Sequence, residues 1–307
     1  MSCFVVIPYI KVQAANFQST GLIMGGAPLM AAAMFSHHLA RQIEAEDLGF
    51  YYVHHDIQPL GGEAYGRFTP AQRRGATFIG KTDYSSKNKY ALSLQPTASC
   101  HLLFSLVIEF DARRPDLDTL VQTIKRSKFA GGHILEFGKI QDFNDAEDAL
   151  AQISSGFLIH DRNDLLTAYQ KAYQVNRLQA FSQLLAHRPQ AKNSDTPILE
   201  HLPNENLAWL SATTLGYALL EQPTADRTGI RHADDQDETQ HAYAEPLTGL
   251  IQYHSLNSIL NEIRLETSIY PDDYLEQIQW SYHWIQDDVF LLQQKSTVQQ
   301  LIDIYKE

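Results

Sequence analysis

Two stretches, CFVVIPYIKV at 3–12 and HLLFSLVIEF at 101–110, are almost continuously apolar and rich in β-branched side chains. A strand that is apolar on both faces must be covered on both, so these two are expected in the interior of a sheet. Each is followed by a helical segment and then by another strand. Pro28 opens a helix that runs to about Ile43, and the strand FYYVHHDI follows at 50–57. PDLDTLVQTIKRSK at 115–128 has Pro at its start, acids in its first turn and bases in its last, which complements a helix dipole. GGHILEFGK at 131–139 carries the strand after it. The order βαββαβ predicts an α+β fold built on a ferredoxin-like sheet, in which the first and third strands are the central ones. Pro8 inside the first strand predicts a bulge or an unpaired backbone position.

Residues 59–99, between the second and third strands, form a long excursion rich in Gly, Ser, Tyr, Lys and Pro, with a hairpin of its own. The rest of the chain has a different texture. RNDLLTAYQKAYQVNRLQAFSQLLAH at 162–187 reads as one long amphipathic helix. ENLAWLSATTLGYALLE at 205–221 is compatible with helix or strand, and ADDQDETQHAYAE at 233–245 is an acidic loop. SLNSILNEIRLE, DDYLEQIQWSYHWIQDD and TVQQLIDIYK are candidate helices. The expected organisation is a ferredoxin-like domain over 1–140, with the excursion 59–99 inside it, and a mainly helical acidic lobe over 141–307.

The net charge of −12 is unevenly spread. Residues 1–140 hold 14 Lys and Arg against 11 Asp and Glu, whereas 141–307 hold 10 against 25. Within 61–90, Arg67, Arg73, Arg74, Lys81, Lys87 and Lys89 face only Glu63 and Asp83. A local basic patch suits a polyanion even on an acidic chain; a solvated charged surface is the competing reading. No apolar run approaches the roughly 18 residues of a membrane span. MSCFVVIPYI lacks a basic leader region and reads as a first strand rather than a signal peptide. Cys3 and Cys100 border apolar runs, so both are expected to be buried and reduced, in a cytoplasmic protein.

No GxSxG, HExxH, P-loop or CxxC occurs. His54 and His55 are neighbours on a strand and point to opposite faces, so they cannot chelate together. His37 and Arg41 share a helix face, with His38 beside them, which suits a polyanion better than a metal. Asp234, Asp235, Asp287 and Asp288 sit in solvated, loop-like contexts. Neither a metal nor a cofactor is expected, and no residue is assigned a catalytic role.

Polar chemistry gathers elsewhere. VQAANFQSTG at 12–21 presents Gln13, Asn16, Gln18 and Ser19, whose side chains offer the donors and acceptors that base edges need. KRSKFAGGHIL at 125–135 joins Lys125, Arg126 and Lys128, suited to phosphates, to Gly131, Gly132 and His133. Glycines there let a backbone approach a ligand, or simply end a helix. Tyr65, Phe68, Phe78, Tyr84 and Tyr90 lie among the bases of the excursion, where they could stack on unpaired bases. The set fits single-stranded RNA better than duplex DNA, for which no recognition helix is apparent.

IPYIKVQAANFQSTGLIMGGAPLMAAAMFSHHLARQ resembles the opening of the Csy-two family, the Cas-five-type subunit of type I-F CRISPR surveillance complexes, through Gln13, Asn16, Ser19, Gly25, Pro28, Phe35 and His38. FAGGHIL at 129–135 is similar to the family's Ala-Gly-Gly-Ser-Ile-Leu segment, and SSGFLIHDRNDLL at 154–166 to its Pro-Gly-Phe-Ala-Leu segment. LGYALLE at 215–221 and QWSYHW at 279–284 have weaker counterparts. The chain departs from the family at Ala15, where an Asn is expected, and at Thr20, where Pro is common. The resemblance implies an RRM-like fold of the RAMP superfamily and a non-catalytic role. Such a subunit caps the 5′ handle of the crRNA and packs against a Cas-seven-type backbone subunit and, where one exists, a Cas-eight-type large subunit. It meets target DNA within the complex. Alternatives are a backbone-type RAMP subunit, a repeat-processing ribonuclease using His37, His38 or His133, and a protein-interaction module without nucleic acid.

Overall fold

A computed structural model describes residues 2–20, 23–71, 98–112, 114–186, 207–225, 240–265 and 269–295. Its centre is the pair of apolar strands. β1 (Cys3–Asn16) runs antiparallel to β4 (Ser99–Phe110), with Val5 opposite Ile108 and Val12 opposite Leu102. β4 also pairs antiparallel with β2 (Asp47–Ala64), and β1 with β6 (Gly132–Glu136). α1 (Leu29–Gln42) and α2 (Leu117–Arg126) link these strands.

Both faces of the central strands are covered, which explains why their sequences do not alternate. On one face Val5, Ile7, Ile10, Phe104 and Leu106 pack under Leu29, Ala33 and Leu39 of α1 and Leu120 and Ile124 of α2. On the other, Val6, Val107 and Val53 meet Ala149 and Leu150 of α3 (Ala146–Ala151) and Ile259 and Leu260 of α6 (Leu256–Ile263). The alanines of α1 bring its backbone close to the sheet. α2 starts at Asp116, whose carboxylate accepts from the Thr119 N–H at 3.0 Å, an N-cap that satisfies one of the helix's open donors. Cys3 and Cys100 are buried and unbridged, as expected, and burial raises both thiols to about 11.

Pro8 does mark a bulge. The β1–β4 register shifts between Ile7 and Ile10, Tyr9 takes φ +54°, and its N–H turns to the Ser105 hydroxyl at 2.9 Å. A second shift between Val12 and Ala15 carries Ala14 at φ +56°. The hairpin expected in the excursion is present in its described part: β2 continues to Ala64 and pairs with β3 (Arg67–Pro70) around Tyr65 and Gly66. Residues 72–97 lie outside the described set, and with them Arg73, Arg74, Lys81, Lys87, Lys89, Phe78, Tyr84 and Tyr90.

The expectation of a mainly helical second half is corrected. β8 (Phe157–Asp161), β9 (Leu210–Leu219), β10 (Ala244–Ser255), β11 (Trp280–Gln286) and β12 (Val289–Gln294) extend the same sheet. Its order is β11-β12-β9-β10-β8-β2-β4-β1-β6-β5, where β5 is Lys128–Phe129; β7 (Gln141–Phe143) pairs with β1. QWSYHW, read as helix, is strand because its aromatics pair across β12 and β9: Tyr217 stacks on Phe290 at 5.1 Å, and Trp284 meets Phe290 edge-on. The single helix expected at 162–187 is two, α4 (Asn163–Tyr173) and α5 (Arg177–Ala186). It breaks where Gln174 adopts φ +52°. TVQQLIDIYK and most of the acidic loop at 233–245 lie outside the described residues.

Trp280 also pairs with Phe50, so β2, β8, β10, β9, β12 and β11 form a closed ring. Trp280 is fully buried there, and its indole N–H donates to the Ile159 carbonyl at 2.9 Å. Among the described residues no helix is long and apolar enough to cross a membrane.

Candidate nucleic-acid interface

The polar segment after the first strand is not simply a loop. Gln13 to Asn16 still belong to β1, and Gln13 stands exposed opposite His133 on β6. The chain turns only after Asn16. The Asn16 Oδ1 accepts from the Gln18 N–H at 3.1 Å and its Nδ2 donates to the Gln18 carbonyl at 3.0 Å. An Asx-type turn of this kind consumes the amide locally. The Gln18 Oε1 accepts from the Ala98 N–H at 3.3 Å. Two side chains expected to read base edges therefore shape the turn instead.

The turn docks on β9. The Thr214 hydroxyl donates to the Ser19 carbonyl at 3.1 Å, and the Thr213 hydroxyl to the Ala27 carbonyl at 2.6 Å. Gly25 is required by this approach, since a Cβ there would lie 2.6 Å from the Ala212 carbonyl oxygen. Opposite stands the β5–β6 hairpin, whose carbonyl at Ala130 accepts from the Asn16 N–H at 2.8 Å. Ala130 and Gly131 both have positive φ, 46° and 74°, the geometry of a two-residue hairpin turn.

Between these elements lies a cleft of about 420 Å³. Asn16, Ser19, Gly25 and Pro28 line one side, and the first turn of α1 lines another through Leu29, Met30 and Ala31. Ser99, Ala130, Gly131, Thr213 and Thr214 complete it. Among the described residues no charged side chain lines it. The hydroxyls of Ser19 and Ser99 are buried and have no hydrogen-bond partner among the described residues. Of the residues singled out from sequence, Asn16, Ser19, Gly25, Pro28 and Gly131 meet here. Ser99, Thr213 and Thr214 come from distant strands, and nothing in the sequence marked them.

The other candidates are distributed around this cleft. Lys128 and His133 pair across the β5–β6 hairpin and are exposed, as are Lys125 and Arg126 at the end of α2. Gly132 is buried against β1, where a Cβ would lie 2.6 Å from Val12 Cγ1 and 2.7 Å from the Gln13 carbonyl oxygen. Its missing side chain thus serves packing, not ligand approach. His38 and Arg126 line a separate polar groove between α1 and α2. His37 stands about 9 Å along α1 from Ala31, the last cleft residue on the helix, at 1.5 Å rise per residue, and Arg41 lies further on, exposed. His37 Nδ1 is 2.9 Å from the Tyr282 hydroxyl and 3.4 Å from Asp47 Oδ1. Tyr65 at the tip of the β2–β3 hairpin is fully exposed, and Phe68 is partly so.

His54 and His55 point apart, as expected. His54 is buried edge-on to Tyr253, and burial lowers its pKa to about 4. His55 packs on Tyr9 and bonds the Ser105 hydroxyl at 2.6 Å. Among the described residues no three His, Cys, Asp or Glu side chains converge in a way that would hold a metal ion.

No curated protein matches the chain. A family model, that of the CRISPR-associated protein Csy2, matches residues 5–291, a span that includes the turn, the hairpin and the strand that build the cleft. The chain is a member of the CRISPR-associated Csy2 family.

Proposed function

We propose that this chain is a non-catalytic subunit of a type I-F RNA-guided surveillance complex that grips the 5′ handle of the crRNA. One observation carries the reading. The two segments that most resemble the family, QAANFQSTG and FAGG, are far apart in sequence yet meet through the Asn16–Ala130 hydrogen bond and line one cleft, which has no charged side chain among the described residues. The exposed Lys125, Arg126 and Lys128 near the hairpin supply cations for a phosphate backbone, with His133 beside them. The order β2-β4-β1-β6, antiparallel throughout, supports a ferredoxin-like unit of the RAMP kind.

A docking role for the acidic second half has support too. A cleft of about 540 Å³ is lined by Asp145, Glu147, Asp272 and Glu276 of that half, with Lys295 and with Glu109 of β4. Neighbouring Cas-seven-type and Cas-eight-type subunits are the proposed partners, with target DNA reached through the assembled complex.

The test is recovery of the protein with the products of its neighbouring genes and sequencing of the co-purified nucleic acid. A single RNA population sharing one fixed 5′ segment is expected. A complex free of RNA would sink the proposal, and cleavage of labelled repeat RNA by the purified subunit would sink its non-catalytic part.

A further inference from the structure

The cleft between the Asn16 turn, the Ala130–Gly131 hairpin and β9 has the chemistry of a binding site for one unstacked nucleobase. Its volume of about 420 Å³ falls within the roughly 300–1,000 Å³ of small-molecule sites. With no Lys, Arg, Asp or Glu in its wall among the described residues, it offers nothing to neutralise a phosphate or a carboxylate. Pro28, Met30 and Ala31 offer apolar surface of the kind that contacts a π-face.

Ser99 supplies the polar term. It is 3% exposed, it lines the cleft, and its hydroxyl is buried without a partner among the described residues. Leaving a buried hydroxyl unpaired is unfavourable, so such a group points to a ligand atom that completes it. The Ser19 hydroxyl, on a half-buried residue that also lines the cleft, is likewise buried without a partner among the described residues. The first turn of α1 enters the cleft with no side-chain cap, and the N–H groups of a helix start favour an acceptor. Hydroxyls can donate or accept, so the three together suit a heterocycle edge that bears both a carbonyl or ring nitrogen and an N–H.

We infer that Ser99 and Ser19 are the specificity-determining residues of a single-nucleobase pocket, with the phosphates of the same strand outside it, near Lys128 and His133. The inference rests on the proposed RNA-binding role and adds to it the ligand's chemical class and the groups that read it.

The experiment uses the full complex, reassembled on the RNA it co-purifies with, resynthesised as a series in which each handle nucleotide in turn lacks its base. One abasic position is expected to weaken retention about tenfold, the scale of removing one stacked base. Ser99→Val, which fills the cleft, should weaken retention of intact RNA by a similar factor and add nothing on the RNA abasic at that position. Ser99→Ala removes only the unpaired hydroxyl, so its thermal midpoint should match or exceed the parent's while the same coupling persists at smaller size. RNA bound with no abasic position coupled to residue 99 overturns the inference and leaves the RNA-binding role standing. Loss of a neighbouring subunit in the Ser99 variants, with RNA retention unchanged, would assign the cleft to a protein side chain and also overturn it.

Discussion

Tyr282 donates its phenolic hydrogen into the carboxylate of Asp47, 2.9 Å from each oxygen, and so ties β11 to the first residue of β2. The Asp47 side chain is only 4% exposed. Burial raises its pKa, while hydrogen bonds from Tyr282 and His37 pull it back.

Removing that donor should be felt at neutral pH. Tyr282→Phe leaves a desolvated carboxylate short of a partner and is expected to destabilise by about 1–3 kcal/mol. Asp47 has a folded pKa above its ordinary value, so its contribution is largest at low pH and is lost as pH rises through the folded pKa. The variant raises that pKa further. The stability gap to the parent should therefore widen as pH rises from the carboxylate range to neutrality, and Asp47→Asn should abolish this widening. Denaturant titrations across pH check it; equal stabilities at neutral pH would contradict it.

Two buried histidines predict a loss of stability in mild acid. Desolvation lowers His54 from 6.5 to about 4, and lowers His160 well below 6.5, helped by His254 and Arg162. For a depressed histidine the contribution is full above 6.5 and is lost as pH falls toward the folded value. Each such group contributes a slope of about 1.4 kcal/mol per pH unit in that window. His54→Gln should flatten the dependence of the unfolding free energy on pH between 6.5 and about 4. A dependence unchanged in that variant would rule out His54 as a source.

The adjacent glycines of the β5–β6 hairpin should fail for different reasons. Gly131 has φ +74° and open space around an added Cβ, so Gly131→Ala should cost about 1–2 kcal/mol, the left-handed penalty alone. Gly132→Ala meets the backbone of β1 at 2.7 Å and must push β6 away from it, with a loss of about 1–3 kcal/mol. Only the second should also speed amide exchange at Gln13 and Ile134. Equal exchange in both variants would show that packing against β1 is not what Gly132 protects.

Arg73 and Arg74 test the basic excursion. Arg73→Ala/Arg74→Ala should weaken RNA retention and lower the slope of log affinity against log salt, because every phosphate left without its arginine keeps its counterion. Retention unchanged across a salt series would remove the excursion from the interface.

What could be read from the sequence follows from burial. β1 and β4 were visible because helices cover both of their faces and leave no alternation to confuse. α2 was visible through its charges, although the helix begins after its cap Asp116 and not at Pro115. The second half was misread because β11 mixes apolar with exposed polar side chains, while β9, whose small residues and threonines alternate with leucines and a tyrosine, was compatible with helix or strand. Its aromatics gain their meaning only from partners on β9 and β12. The break at Gln174 lacked the glycine that usually announces a left-handed cap. In the cleft, Asn16, Ser19 and Gly131 stood in conspicuous motifs. Ser99 and Thr213 did not, because a cleft assembled from distant strands leaves no local pattern.

The Trp280–Phe50 closure has a consequence for the order of events during synthesis. β2 is made early, yet the ring it belongs to cannot be completed until β11 and β12 have left the ribosome. Until then β9 lacks its β12 neighbour and offers an unpaired edge to other chains. A chain cut before Trp280 would stay in that open condition. Its expected fate is self-association through β9, a vulnerability that the last strands remove simply by arriving.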